Sequence, residues 1–220
     1  MELLQNPGSF RDPSGHVYKY NNRIIRIVKN FGRKRYEFIK EENLIEESIK
    51  NNFLINTKEI ENEFKNLKSE NYCYFLEHEK LDYISYPYEW GFYQLKDAAL
   101  HHLNFQIFLL EKGAVLIDSS AFNIQFKDNK PVFIDVLSID KYVEGDYWKG
   151  HSQFLQQFLN PLLLRSIKGI SFNDWYKGNL DGIKTTELND LLSLKDKMSF
   201  NIFFSVVLLS LGGRSFQSLV

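Results

Sequence analysis

The apolar pattern of this chain changes character at Trp90, and that change limits the folds open to it. Before Trp90, short runs rich in β-branched and aromatic residues dominate. GHVYKY (15–20) and RIIRIV (23–28) are two such runs, separated by Asn21-Asn22. Asparagine tolerates positive φ, so the pair predicts a tight hairpin turn. In the charged stretch 32–52, Phe38, Ile39, Leu44, Ile45 and Ile49 recur at roughly helical spacing, which predicts one amphipathic helix. FLINTKEI (53–60) and the stretch from Cys73 to Trp90 read as strands, the latter ended by Pro87, which cannot donate to a ladder.

After Trp90 the pattern is helical. Residues 92–113 predict a long helix with Leu95, Ala99, Leu103, Ile107 and Leu110 on one face and Gly113 as its C-terminal cap. A small β unit follows: AVLID, a polar loop, NIQF, the turn KDNK, then PVFID. From about Tyr147 the chain reads as helices, with the one over 152–167 bent or broken near Pro161. The expected fold class is therefore α+β and two-lobed. Residues 1–89 form a small β-rich lobe, and residues 90–220 form a mainly helical lobe carrying the β unit, with polar residues at the hinge and between the strands lining a cleft.

Composition excludes several functions. A formal net charge of -1 does not point to nucleic-acid binding. Cys73 is the only cysteine, so the chain holds no internal disulfide or thiolate zinc site. The N-terminus lacks a signal-peptide pattern, and FNIFFSVVLLSLGG is too short and too polar at its start to span a bilayer, so no membrane association and a cytoplasmic setting are expected. His101-His102 are helix neighbours that point apart and are expected to be partly exposed. His16, His78 and His151 are expected to be structural or exposed. Ser119-Ser120 lacks a nucleophile elbow. FFSVVLLSL is expected to be a buried helix, or a face that packs on a further domain.

The chemistry concentrates in the β unit. Asp118 ends one apolar strand, Asn123 opens the next, and Asp135 ends the one after that. A tight β unit brings strand ends to one edge. Two carboxylates and an amide there suit phosphoryl transfer: one carboxylate positions a hydroxyl and takes its proton, while an amide and a carboxylate hold Mg²⁺ against ATP phosphates. On the structural alternative, Asp118 and Asp135 are turn residues and Asn123 is a loop cap.

The ordering resembles the protein-kinase-like fold, with Asp118 and Asn123 at catalytic-loop positions and Asp135 at the metal-binding position. More closely, GSFRDPSGHVY, YISYPYEWGFYQLKDAAL, DSSAFNIQF and PVFIDVLSID resemble the N-terminal, kinase-like region of a bacterial family described as SAM-dependent methyltransferases. The resemblance implies a kinase-like fold, a Mg-nucleotide ligand and a methyltransferase domain on the same longer chain or on a partner. It also favours Arg26 over Lys29 as the phosphate-gripping cation of the RIIRIVK strand, consistent with alternation that sets Arg26 opposite Ile25 and Ile27. Its helix partner is left open among Glu42, Glu46 and Glu47. Tyr86 and Tyr88 of SYPYEW are either core or the hinge against adenine.

The departures from protein kinases are equally specific. Leu116-Ile117 stands where His-Arg is usual, Asp135-Val136-Leu137 lacks the glycine of Asp-Phe-Gly, and FRDPSGHVY has Gly15 as its only internal glycine. No glycine-rich turn follows the AVLID strand, so SAM is not expected to bind within this chain. Two functions follow: a Mg-ATP phosphotransferase on an unknown small-molecule or protein acceptor, or a catalytically silent, pseudokinase-like module serving a methyltransferase.

Overall fold

A computed structural model describes residues 4–6, 9, 12–60, 64 and 72–211. The chain is α+β: a five-stranded antiparallel sheet dominates the N-terminal region, and the C-terminal part is mainly helical. The coarse element order, β-rich before Trp90, then a long helix, a small β unit and helices, is the one expected from the sequence. Residues divide into two compact units, Met1–Ile84 with His101–Asp118 and Asn123–Lys149, and Ser85–Leu100 with Ser119–Phe122 and Gly150–Val220. Both units draw on both sides of the 89/90 division.

In the first unit, β1 (Leu4–Gln5), β2 (Gly15–Tyr20) and β3 (Arg23–Lys29) run antiparallel. Asn21 and Asn22 take φ of 45° and 66°, the left-handed conformation that a two-residue turn of matching twist requires. Two helices follow, α1 (Arg33–Glu41) and α2 (Leu44–Lys50), where the apolar spacing predicted one. The break is at Asn43, which is left-handed with φ 51°, a conformation asparagine adopts more readily than most residues. β4 (Thr57–Glu59) is shorter than the predicted strand, and β5 (Tyr72–His78) stops well before Pro87, which instead opens a 3₁₀ turn. The sheet order is β1-β2-β3-β5-β4. On one face Ile25, Ile27, Phe64 and Phe75 form an apolar cluster flanked by Tyr18 and Tyr20. Alternation turns Arg26 and Val28 to the other face.

Helix α3 (Phe92–Leu110) forms as predicted, and Gly113 (φ 70°) donates its N–H to Leu110 O beyond its end. Its buried stripe differs from the expected one. Leu95, Ala98, His102, Phe105 and Leu109 are buried, whereas Ile107 and Leu110 are exposed. Residues spaced strictly by four drift about 40° per step around a helix, so the expected face rotates away from the core, while alternating steps of three and four hold it in place. His102 is fully buried, not partly exposed, and its ring stacks on Trp148.

β6 (Ala114–Leu116) pairs with β9 (Ile139–Lys141), while β7 (Ile124–Lys127) and β8 (Lys130–Phe133) form a hairpin turned by Asp128 and Asn129, both at positive φ. The strand leading to Asp118 is therefore laddered to the chain beyond Asp135 rather than to the hairpin.

In the second unit, α4 (His151–Phe154), a π-turn (Leu155–Leu159) and α5 (Asn160–Lys168) form one continuous helix. Pro161 has no N–H, and two outside donors take over the carbonyls one turn before it. Tyr176 Oη–H donates to Gln157 O, and Ile183 N donates to Gln156 O at 2.9 Å. Gly182 permits that second contact, since a Cβ there would sit 2.2 Å from Gln156 O. Helices α6 (Asn173–Gly178), α7 (Thr185–Leu191), α8 (Leu194–Lys197) and α9 (Phe200–Ile202), the last continuing through a second π segment to Leu211, complete the unit. Ile202, Val206 and Ser210 are buried in that final helix, but Phe200, Phe204 and Leu211 are exposed, so it is not the buried helix predicted. Among the described residues no helix is long and apolar enough to cross a membrane.

Candidate functional site

Arg26 occupies the middle of the central strand β3 and is only 6% exposed. Burial of a guanidinium demands paired acids. It has two: Nη1 lies 2.9 Å from Asp135 Oδ1, and Nη2 donates to Asp12 Oδ2. Its Nε is buried with no hydrogen-bond partner. None of Glu42, Glu46 and Glu47 is the acid that pairs with it, and Glu47 lies 3.4 Å from Lys112 Nζ. Helix α1 instead directs a second cation into this region. Arg35 donates to Leu137 O at 3.1 Å and to Ser14 Oγ at 3.3 Å, and its Nε lies 3.4 Å from Asp140. The alternative strand cation, Lys29, bonds His16 Nε2 at 2.9 Å.

Asp12 is fixed by its own turn, its Oδ1 accepting from Ser14 N at 2.8 Å. The turn is pressed against the sheet. A Cβ on Gly15 would sit 2.4 Å from Ile27 O and 3.2 Å from Leu137 Cδ1, and one on Gly32 would sit 2.7 Å from Ser14 O. The glycine of FRDPSG thus permits close backbone approach and carries Asp12 to Arg26.

Asp135 follows β8 and caps the 3₁₀ turn Val136–Ser138. Its Oδ1 accepts from Leu137 N at 3.1 Å and its Oδ2 from Ser138 Oγ at 2.7 Å. Asn123 Nδ2 donates to the same Ser138 hydroxyl at 3.3 Å. Two backbone bonds gather the strand ends: Ile134 N to Asn123 O at 2.8 Å, and Ile117 N to Ser138 O at 2.9 Å. Asp118, half-buried, is the residue after Ile117. Asn123 and Asp135 are thus joined through Ser138, and Asp118 is tethered by its neighbour to that same residue. The turn-residue alternative holds for Asp135 in part, since it does cap a turn.

His78, on β5, is buried on the face that carries Arg26. Burial, reinforced by the Arg26 charge, pushes its pKa down to about 3, so the ring is neutral. Thr57 Oγ1 donates to Ile55 O, which assigns the His78 proton to Nδ1, 2.8 Å from Thr57 Oγ1. Its Nε2 is buried without a partner.

The donors fit a hard cation in type, a carboxylate and an amide oxygen, with the remaining places of a Mg²⁺ shell left for water and phosphate. Among the described residues no group of three or more His, Cys, Asp or Glu could hold a metal ion. Asp135 already accepts two hydrogen bonds and is ion-paired with Arg26. Tyr86 and Tyr88 belong to the second unit, where their rings stack at 5.4 Å and Tyr88 O accepts from Asn173 at 2.9 Å. Tyr86 is exposed, while Pro87 and Trp90 are buried.

Asp12, Arg35 and Ser138 were not singled out from the sequence. Asp12 lies inside FRDPSGHVY, Arg35 in the basic run that opens α1, and Ser138 three residues beyond Asp135, the spacing of a side chain that returns to its cap.

No family model matches the chain. It is 40% identical over 201 residues to nodulation protein NoeA of Rhizobium meliloti (strain 1021), covering 91% of this chain and 42% of that protein. The chain thus spans less than half the length of the curated relative it matches. Among solved structures, vaccinia related kinase 3 aligns over 82% of this chain and 73% of its own, with 13% identity and a TM-score of 0.45. The Legionella pneumophila Lpg2603 kinase bound to IP6 aligns over 93% of this chain and 96% of its own, with 14% identity and a TM-score of 0.35.

Proposed function

We propose that this chain is a kinase-like module that binds the polyphosphate of a nucleotide through its first unit and transfers a phosphoryl group to a small-molecule or protein acceptor. The observation that carries this reading is the ion pair of buried Arg26 with half-buried Asp135, joined through Ser138 to Asn123. Arg26 supplies a permanent, fork-shaped cation for phosphate oxygens. Asn123 and Asp135 would hold Mg²⁺, which when bound supplies charge neutralisation at the phosphates. Asp118 accepts the proton of the acceptor hydroxyl as its oxygen bonds to the γ-phosphorus and the bond to the departing ADP oxygen breaks.

A second reading is a pseudokinase-like module that binds a nucleotide without turnover and supports a SAM-dependent methyltransferase, on the same longer polypeptide or on a partner, with SAM held outside this chain. The hydrogen bonds already crowding Asp135 favour it. The greater length of the relative leaves room for such a further domain. Either reading places the module in the cytoplasm.

Calorimetric titration with ATP, with and without Mg²⁺, tests both. The phosphotransferase reading expects Mg-dependent binding that Asp135→Asn weakens. Binding that is indifferent to Mg²⁺ and to that substitution favours the silent module, and no binding under any condition removes both.

A further inference from the structure

We infer that the side-on fork of Arg26 is an anion seat now half-filled by Asp12, and that its exchange ligand is a phosphate group of a nucleotide polyphosphate. The inference rests on the nucleotide reading above and adds what must leave for the ligand to enter. A guanidinium presents Nε–H and Nη2–H along one edge, the edge that takes carboxylate or phosphate bidentately. In this chain Nη2 donates to Asp12 Oδ2, while Nε is buried and has no partner. Asp12 cannot complete the fork, because its other oxygen is held 2.8 Å from Ser14 N. Nη1 is committed to Asp135.

A buried, charged N–H without an acceptor is costly, and Asp12 leaves that cost standing. A tetrahedral phosphate does not share the constraint. With three terminal oxygens it can accept from Nε and Nη2 together, while Nη1 stays with Asp135. The two carboxylates on Arg26 also compete with any incoming anion by charge. Asp12 is the one with an exit, since its side chain is 28% exposed against 17% for Asp135. Asp12 therefore acts as a tethered competitor that lowers apparent phosphate affinity and selects ligands with enough negative charge to displace it.

The test is calorimetric titration of the chain with inorganic tripolyphosphate and with ATP, each with and without Mg²⁺. Wild type is compared with Asp12→Asn and with the double variant Asp12→Asn/Arg26→Gln. Asparagine retains an oxygen for Ser14 N, while its amide nitrogen is a donor that cannot accept from Arg26 Nη2, so both the charge and the competing contact are lost. Asp12→Asn is expected to bind tripolyphosphate roughly tenfold or more tightly than wild type, since the competing state is removed, and the double variant to lose that gain. Equal or weaker binding by Asp12→Asn overturns the inference. If wild type binds Mg-ATP while Asp12→Asn shows no gain, the role of Asp12 falls and the nucleotide reading stands. If neither chain binds either probe, both fall. Carbodiimide labelling of wild type reports on Asp12 without any substitution: saturating tripolyphosphate should raise its reactivity, and unchanged reactivity with ligand bound again overturns the inference.

Discussion

Ser138 donates its hydroxyl proton to Asp135 Oδ2 at 2.7 Å and accepts from Asn123 Nδ2 at 3.3 Å, so one buried serine holds the two oxygen donors proposed for a metal. Ser138→Ala removes both bonds at once. The change should cost about 1–3 kcal/mol of stability, the range for leaving buried polar groups unpaired. Urea unfolding measures it, and a loss well below that range would mean the two groups find other partners. Any Mg-dependent ATP binding should weaken in the same variant, because Asn123 and Asp135 lose their common anchor.

The continuous helix through Pro161 depends on a residue from another helix. Tyr176→Phe leaves Gln157 O without the donor that replaces the missing proline N–H. We expect a loss of about 1–3 kcal/mol. Pro161→Ala in that background restores a backbone donor one turn on and should recover part of it. If the double variant is less stable than Tyr176→Phe alone, the account of the π-turn is wrong.

Two buried histidines set a pH limit. Burial holds His78 and His102 down to about 3, from an ordinary value near 6.5. The Arg26 charge adds to the lowering of His78 while Asp135 opposes it, and His101 adds to that of His102. Both rings are neutral when folded and gain a proton on unfolding below pH 6.5. Their contribution to stability is complete above pH 6.5 and is lost as pH falls toward 3. Each adds a slope of up to about 1.4 kcal/mol per pH unit within that window. Stability measured from pH 7 to 5 should fall, and His102→Gln should flatten the decline. An unchanged slope in that variant would show that His102 is not buried neutral.

Asp118 separates the two proposed functions. In a phosphotransferase, Asp118→Asn should leave ATP affinity nearly unchanged and lower turnover by roughly two to four orders of magnitude, the effect of removing a general base. ATP consumption with a cell extract as acceptor source is the assay. Equal consumption by wild type and variant would remove Asp118 as the base. In the silent module neither consumes ATP above background, and methyltransferase activity of the complete protein is indifferent to the substitution.

Local chemistry was legible in the sequence because it acts over a few residues. Asn21-Asn22 predicted a turn that needs left-handed backbone, Gly113 a helix end, and alternation around Ile25 and Ile27 the face that carries Arg26. All three are satisfied within one turn or one pleat, so no distant residue can override them. The gathering of Asn123 and Asp135 was legible for a related reason, since a short hairpin leaves its strand ends little freedom. What the sequence did not determine is which charge meets which. Asp12 and Asp135 pair with Arg26, and Arg35 replaces a glutamate on the helix side, because close packing at Gly15 and Gly32 presses the turn that opens β2 onto β3, a strand later in the chain. The buried stripe of α3 and the partners of Gln156 and Gln157 were hidden for the same reason. A buried polar or charged group takes whichever partner the folded chain brings within about 3 Å, and that choice is made by tertiary packing rather than by spacing along the chain.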